Sequence, residues 1–127
     1  MRLLIDTHVL LWTLLEPERL NPKARELLVD PEHEVLASIV SLWEIAVKKR
    51  TGKLQAELGS IIDGIAQQGF DRLGLQDAHL RTLLRLPFHH RDPFDHLLIA
   101  QAIAERAAFV TGDRLAHRYP VELVSAG

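Results

Sequence analysis

Residues 2–15 read Arg2-Leu3-Leu4-Ile5-Asp6-Thr7-His8-Val9-Leu10-Leu11-Trp12-Thr13-Leu14-Leu15. A short apolar run ends on an acid, and a longer apolar-rich stretch follows. The run Arg2–Ile5 suits a strand buried on both faces. The stretch from His8 predicts a helix that ends near Pro17. A buried strand passing directly into a helix is the repeating step of an α/β fold, in which helices cover a mostly parallel central sheet.

The same alternation continues outward. Asn21-Pro22 opens a helix to about Val29, with Asn21 as N-cap, and Glu34-Val35-Leu36-Ala37 reads as a second strand. Ser38 caps a helix to about Arg50, which Gly52 stops. Further helices are expected over 57–68 and 76–86, with a short strand at 70–75 between them. Asp92-Pro93 is a helix start, the helix running to about Arg106. Residues 107–111 form a strand, a helical turn begins at Asp113, and 121–124 make a last strand. No repeat or linker divides the 127 residues, so 1–127 reads as one domain.

Composition narrows the function classes. The chain has no cysteine, hence no disulfide frame, thiolate metal site or thiol nucleophile. No apolar run reaches the ~20 residues of a bilayer span, and no cleavable signal pattern stands near Met1. A cytoplasmic, non-membrane protein is the expectation. Net charge is −2, which is not the footprint of a nucleic-acid binder. With four acids set aside as metal ligands, fifteen basic residues face thirteen acids, a balance of +2. Charge is therefore neutral evidence on an RNA partner.

Two acids, Asp6 and Asp113, directly follow predicted strands, where open parallel sheets bind ligands if the strands are neighbours. Each could equally be a helix-capping acid. Glu44 sits on the third helix among Val40, Trp43, Ile45 and Val47. It reads either as an exposed pair with Lys48, worth about 0.3–0.5 kcal/mol, or as a carboxylate aimed into a cleft. Asp92 is assigned to capping and Asp95, in the first turn of an apolar helix, to ligation. His8, His89, His90 and His96 lack a zinc-ligand spacing and read as surface or cleft-rim groups. Thr51-Gly52-Lys53 has no phosphate-loop frame.

Taken in order, these blocks resemble the PIN domain, and in particular the VapC-type toxins of bacterial toxin–antitoxin pairs. The likeness rests on Leu-Leu-Ile-Asp-Thr-His-Val-Leu-Leu-Trp around Asp6 and Thr7, and on Ser-Leu-Trp-Glu-Ile-Ala-Val-Lys around Glu44. It continues through Asp-Pro-Phe-Asp-His-Leu-Leu-Ile-Ala around Asp92 and Asp95 and Val-Thr-Gly-Asp-Arg-Leu around Thr111 and Asp113. One departure is His96, where the family often has arginine.

The resemblance implies hydrolysis of RNA phosphodiester bonds. Asp6 and Asp95 are then the principal metal ligands, Asp113 completes the site, and Glu44 positions or deprotonates water. Thr7, Asp92 and Thr111 support them, while His96, Arg91 and Lys48 are candidates for holding substrate. Oxygen-only ligands favour Mg2+ or Mn2+. Expected partners are RNA, a cognate antitoxin and a second copy of the chain. Leu10, Leu11, Trp12, Leu14 and Leu15 are too apolar all round for a surface helix, so most are expected in the core and some on an antitoxin or dimer surface. The basic residues Lys48, Lys49, Arg50 and Lys53, or Arg81, Arg85 and Arg91, are candidates for the RNA backbone. Two rivals remain at this point: a non-catalytic RNA-binding or regulatory module, and a phosphotransfer domain with Asp6 as nucleophile. The second lacks the late lysine expected of it, since every lysine lies at or before Lys53.

Overall fold

A computed structural model of the chain, described over residues 1–88 and 92–127, shows an α/β fold with one five-stranded sheet. The order along the chain is β1 (Arg2–Ile5), α1 (Thr7–Leu15), α2 (Pro22–Val29), β2 (Glu34–Ser38), α3 (Ile39–Arg50) and α4 (Leu58–Gln67). It continues with β3 (Asp71–Leu73), α5 (Asp77–Leu84), α6 (Pro93–Ala104), β4 (Ala108–Thr111) and β5 (Leu123–Ser125). Short 3-10 turns lie at Pro17–Arg19 and Arg114–Arg118. All described strand pairs are parallel, as a chain of helical crossovers requires.

The strand order is β3-β2-β1-β4-β5. The chain lays β1, β2 and β3 outward in one direction, then returns to place β4 on the other side of β1. Leu3, Leu4 and Ile5 pair with Ala108, Phe109 and Val110. The reversal of direction therefore falls between β1 and β4, and their carboxyl ends carry Asp6 and Thr111-Gly112-Asp113. Such a switch point leaves a crevice because the helices after the two strands pack on opposite faces.

Strand alternation divides the interior between two layers. Leu3, Ile5, Val35, Ala37, Ala108 and Val110 pack with α1, α2 and α4. Leu4, Leu36 and Phe109 point the other way, onto Leu97, Leu98 and Ile99 of α6. Helix α6 is buried without interruption from His96 to Ala102, the mark of a helix covered all round. Its polar members are satisfied. Gln101 accepts from Ser38 Oγ at 2.5 Å, and the buried His79 of α5 meets Glu105 at 2.8 Å.

Sequence boundaries hold where a cap fixes them. Asn21, Ser38 and Asp92 each accept from a backbone N–H in the first turn. They drift where none does: β3 is shorter than expected, and α6 ends at Ala104. Among the described residues no helix is long and apolar enough to cross a membrane.

Candidate active site

Asp6 is the N-cap of α1. Its Oδ1 accepts from Val9 N at 2.7 Å, and its Oδ2 from Thr111 Oγ1 at 2.5 Å. Thr111 Oγ1 in turn accepts from Asp113 N at 3.0 Å. One hydroxyl thus ties together the ends of β1 and β4. Asp113 also caps its 3-10 turn, accepting from Leu115 N at 2.9 Å. The capping and site readings of these acids are compatible: the cap fixes the backbone, and the carboxylate still faces the crevice.

Glu44 is 1% exposed. Its Oε1 accepts from Thr7 Oγ1 at 2.6 Å, and Thr7 Oγ1 lies 3.0 Å from the buried Ser41 Oγ. Its Oε2 meets Lys48 Nζ at 2.5 Å. The sequence offered an exposed ion pair or a cleft carboxylate. The pair exists, but its carboxylate is buried while Lys48 stays a third exposed.

Asp92 caps α6 as expected, its Oδ1 accepting from Phe94 N at 2.8 Å and Asp95 N at 3.3 Å. Asp95, one turn in, lies half-buried. Its carboxyl is pushed up to about 7, first by burial and then by the charges of Asp92, Glu44, Asp6 and Asp113 in that order. Every acid singled out from the sequence is thus near enough to oppose ionisation of Asp95. Asp6 is raised by burial as well, against the lowering effect of its bonds from Thr111 and Val9.

Asp6, Asp95 and Asp113 line one cleft of about 280 Å³ together with His8, Trp12 and Gly112. A Cβ on Gly112 would stand 3.0 Å from the Trp12 ring, so the glycine admits the indole to the cleft wall. The Arg19 guanidinium lies 5.1 Å from the centroid of that ring. Trp12 and Ser41 were not singled out as site residues. The i, i+4 spacing of His8 and Trp12 after Asp6 was the available sign for the first.

Of the three expected substrate-binding residues, the two that are described, Lys48 and His96, do not line this cleft. Lys48 is bonded to Glu44. His96 is buried, with its Nε2 2.8 Å from Tyr119 Oη. It lines a separate, apolar cavity of about 430 Å³ with Leu83, Leu86, Phe88 and Pro93. Arg91, like His89 and His90, lies outside the described residues. The apolar cavity is the larger of the two, but it holds none of the four acids.

The family model for the PIN domain matches residues 3–122. The chain belongs to the PIN-domain family. This PIN domain is 28% identical over 122 residues to Ribonuclease VapC22 of Mycobacterium tuberculosis (strain ATCC 25618 / H37Rv), covering 92% of each chain. Its fold is that of VapBC2 from Rickettsia felis, solved bound to a DNA fragment from the promoter, with TM-score 0.78, 17% identity and full coverage of both chains. VapBC-1 from nontypeable Haemophilus influenzae is similar at TM-score 0.68 and 14% identity, covering 98% of each chain.

The donor set of this PIN domain suits a hard divalent cation. Three carboxylates from three elements face one cleft, and Asp95 is raised first by burial and then by the neighbouring acid charges, which a cation would offset. Among the described residues no three acids or histidines stand close enough to hold a metal as they are.

Proposed function

We propose that this PIN domain is a divalent-metal-dependent ribonuclease, using Mg2+ or Mn2+, and the toxin of a cytoplasmic toxin–antitoxin pair. The convergence of Asp6, Asp95 and Asp113 on one cleft at the β1/β4 switch point carries the reading. The likeness to a relative named as a ribonuclease supports the reaction, and the likeness to VapBC structures supports an antitoxin partner.

In this reading Asp6, Asp95 and Asp113 would hold the cation, which would supply Lewis-acid stabilisation of phosphate charge and activation of water. Thr111 fixes Asp6 through Oδ2 and leaves the carboxylate its remaining lone pairs. Thr7 fixes Glu44 through Oε1, and Glu44 would position the attacking water once its other oxygen is released from Lys48. Asp92 places Asp95 by capping and adds the charge that makes cation binding favourable. A second copy of the chain and the antitoxin would cover apolar surface such as Trp43, Leu84 and Phe88, all exposed here.

The Glu44–Lys48 pair and the lack, among the described residues, of a ready-made group of three ligands favour a second reading, an RNA-binding module without turnover. The phosphotransfer alternative gains nothing, since both Asp6 oxygens accept hydrogen bonds. RNA ends are to be sequenced after incubation with Mg2+ or Mn2+, wild type beside Asp95→Asn. The nuclease reading expects new ends from the wild type, and at least a hundredfold fewer from the folded variant, about 2.7 kcal/mol of barrier. Absence of new ends on every RNA tried, with RNA binding retained, would establish the module reading instead.

A further inference from the structure

Glu44 has a cation supplied by its own helix. Lys48 Nζ lies 2.5 Å from Glu44 Oε2, with the two side chains 33% and 2% exposed. One helical turn separates the residues, the spacing at which an ammonium reaches back over a carboxylate. Such a pair on a solvated face is nearly neutral in energy. Here one partner is buried, and loss of the ammonium would strand its charge. With Oε1 held by Thr7, each oxygen of Glu44 has a partner on α1 or α3, and Glu44 does not line the acid cleft. The ammonium also interacts with Asp92 and Asp95 across the gap to α6. The one ammonium therefore bears on both the helix glutamate and the acids at the start of α6.

We propose that Lys48 is an internal counter-ion that occupies Glu44 and holds down the affinity of the acid site for a divalent cation. It is a positioning residue, and the inference rests on the metal-site reading given above. A fixed ammonium beside clustered carboxylates offsets part of their repulsion in the folded chain. It also repels an arriving divalent ion and competes with it for the Glu44 carboxylate. This is a different role from the RNA-backbone contact expected of Lys48 from the sequence.

Calorimetric titration of the full chain with Mn2+ tests the proposal, comparing wild type with Lys48→Met, Lys48→Gln and Lys48→Arg. Neutral substitution is expected to tighten Mn2+ binding roughly tenfold, chiefly because the ammonium no longer competes for the Glu44 carboxylate, and Lys48→Arg to stay near wild type. Most of the gain should vanish in a Glu44→Gln background, where there is no carboxylate to compete for. In EDTA, Lys48→Met should melt below wild type, and saturating Mn2+ should close that gap. A lysine needed only for packing would lower the melting temperature in both conditions. Lys48→Gln keeps a hydrogen-bond donor to Glu44 and serves if Lys48→Met does not fold. Mn2+ affinity unchanged or weakened in folded neutral variants overturns the counter-ion role. Wild-type binding that is absent, or indifferent to Asp95→Asn, overturns the metal site itself, and so separates the two failures.

Discussion

At the scale of single residues, Asp95 carries the conflict of the site. Its carboxyl titrates near 7 in the folded chain, against about 3.9 in an unfolded one. The folded state therefore binds the proton more tightly. The stabilisation is fully present below about pH 4, is lost as pH rises through 7, and is then gone. Asparagine is neutral throughout. In EDTA, Asp95→Asn should melt at a higher temperature than wild type at pH 8, and the difference should shrink towards pH 4.5. Thermal melts at the two pH values check this, and a gap independent of pH would show that the carboxyl is not under charge strain. The sequence marked Asp95 and Asp6 because a helix start and a strand end are visible in residue order. It left Glu44 undecided, because whether a helical glutamate is exposed depends on α1 packing over it. Thr7 and Lys48, one on each carboxylate oxygen, are what make its burial tolerable.

At the scale of elements, the helix ends show what local chemistry fixes and what packing overrides. Helix α3 ends with Gly52 N bonded to Lys49 O and Lys53 N to Lys48 O, and α4 ends the same way around Gly69. Both glycines have positive φ, 73° and 75°. This closure needs a left-handed residue, which glycine adopts without a Cβ clash. Glycine made the end of α3 readable from sequence. Helix α6 closes in the same pattern, Arg106 N to Ile103 O and Ala107 N to Ala102 O, but through Arg106 at φ 55°. With no glycine to signal it, the expected end ran two residues long. The exposed Arg106 side chain leaves the backbone strain uncompensated. Arg106→Gly should stabilise the chain by about 0.5–1 kcal/mol, since left-handed strain outweighs the added freedom of the unfolded chain. Urea unfolding measures it; a destabilised variant would mean that the arginine makes up the strain elsewhere.

At the scale of the whole molecule, strand number and parallel sense follow from the alternation of periods, but the neighbour of β1 does not. Roughly a hundred residues separate β1 from β4, and only the packing of α6 on Leu4 and Phe109 brings them side by side. That pairing turns two acids with ordinary capping roles into one cleft. It would also make the proposed cation binding a property of the folded state alone: Asp6, Asp95 and Asp113 lie on three elements and converge only when the sheet is complete. A ligand bound only by the native chain stabilises it by about 2.7 kcal/mol at a concentration of 100 Kd. In a domain of this size each kcal/mol moves the melting temperature by roughly 3–5 °C. Saturating Mn2+ should therefore raise the melting temperature of the EDTA-treated chain by roughly 10 °C. Asp6→Asn and Asp95→Asn should each remove most of that rise, whereas Arg106→Gly should keep it on a higher baseline. Ca2+, which prefers more ligands and longer bonds than three carboxylates offer, should give a smaller rise. An equal rise in all variants would place the ion elsewhere on the surface and detach the switch-point cleft from metal binding.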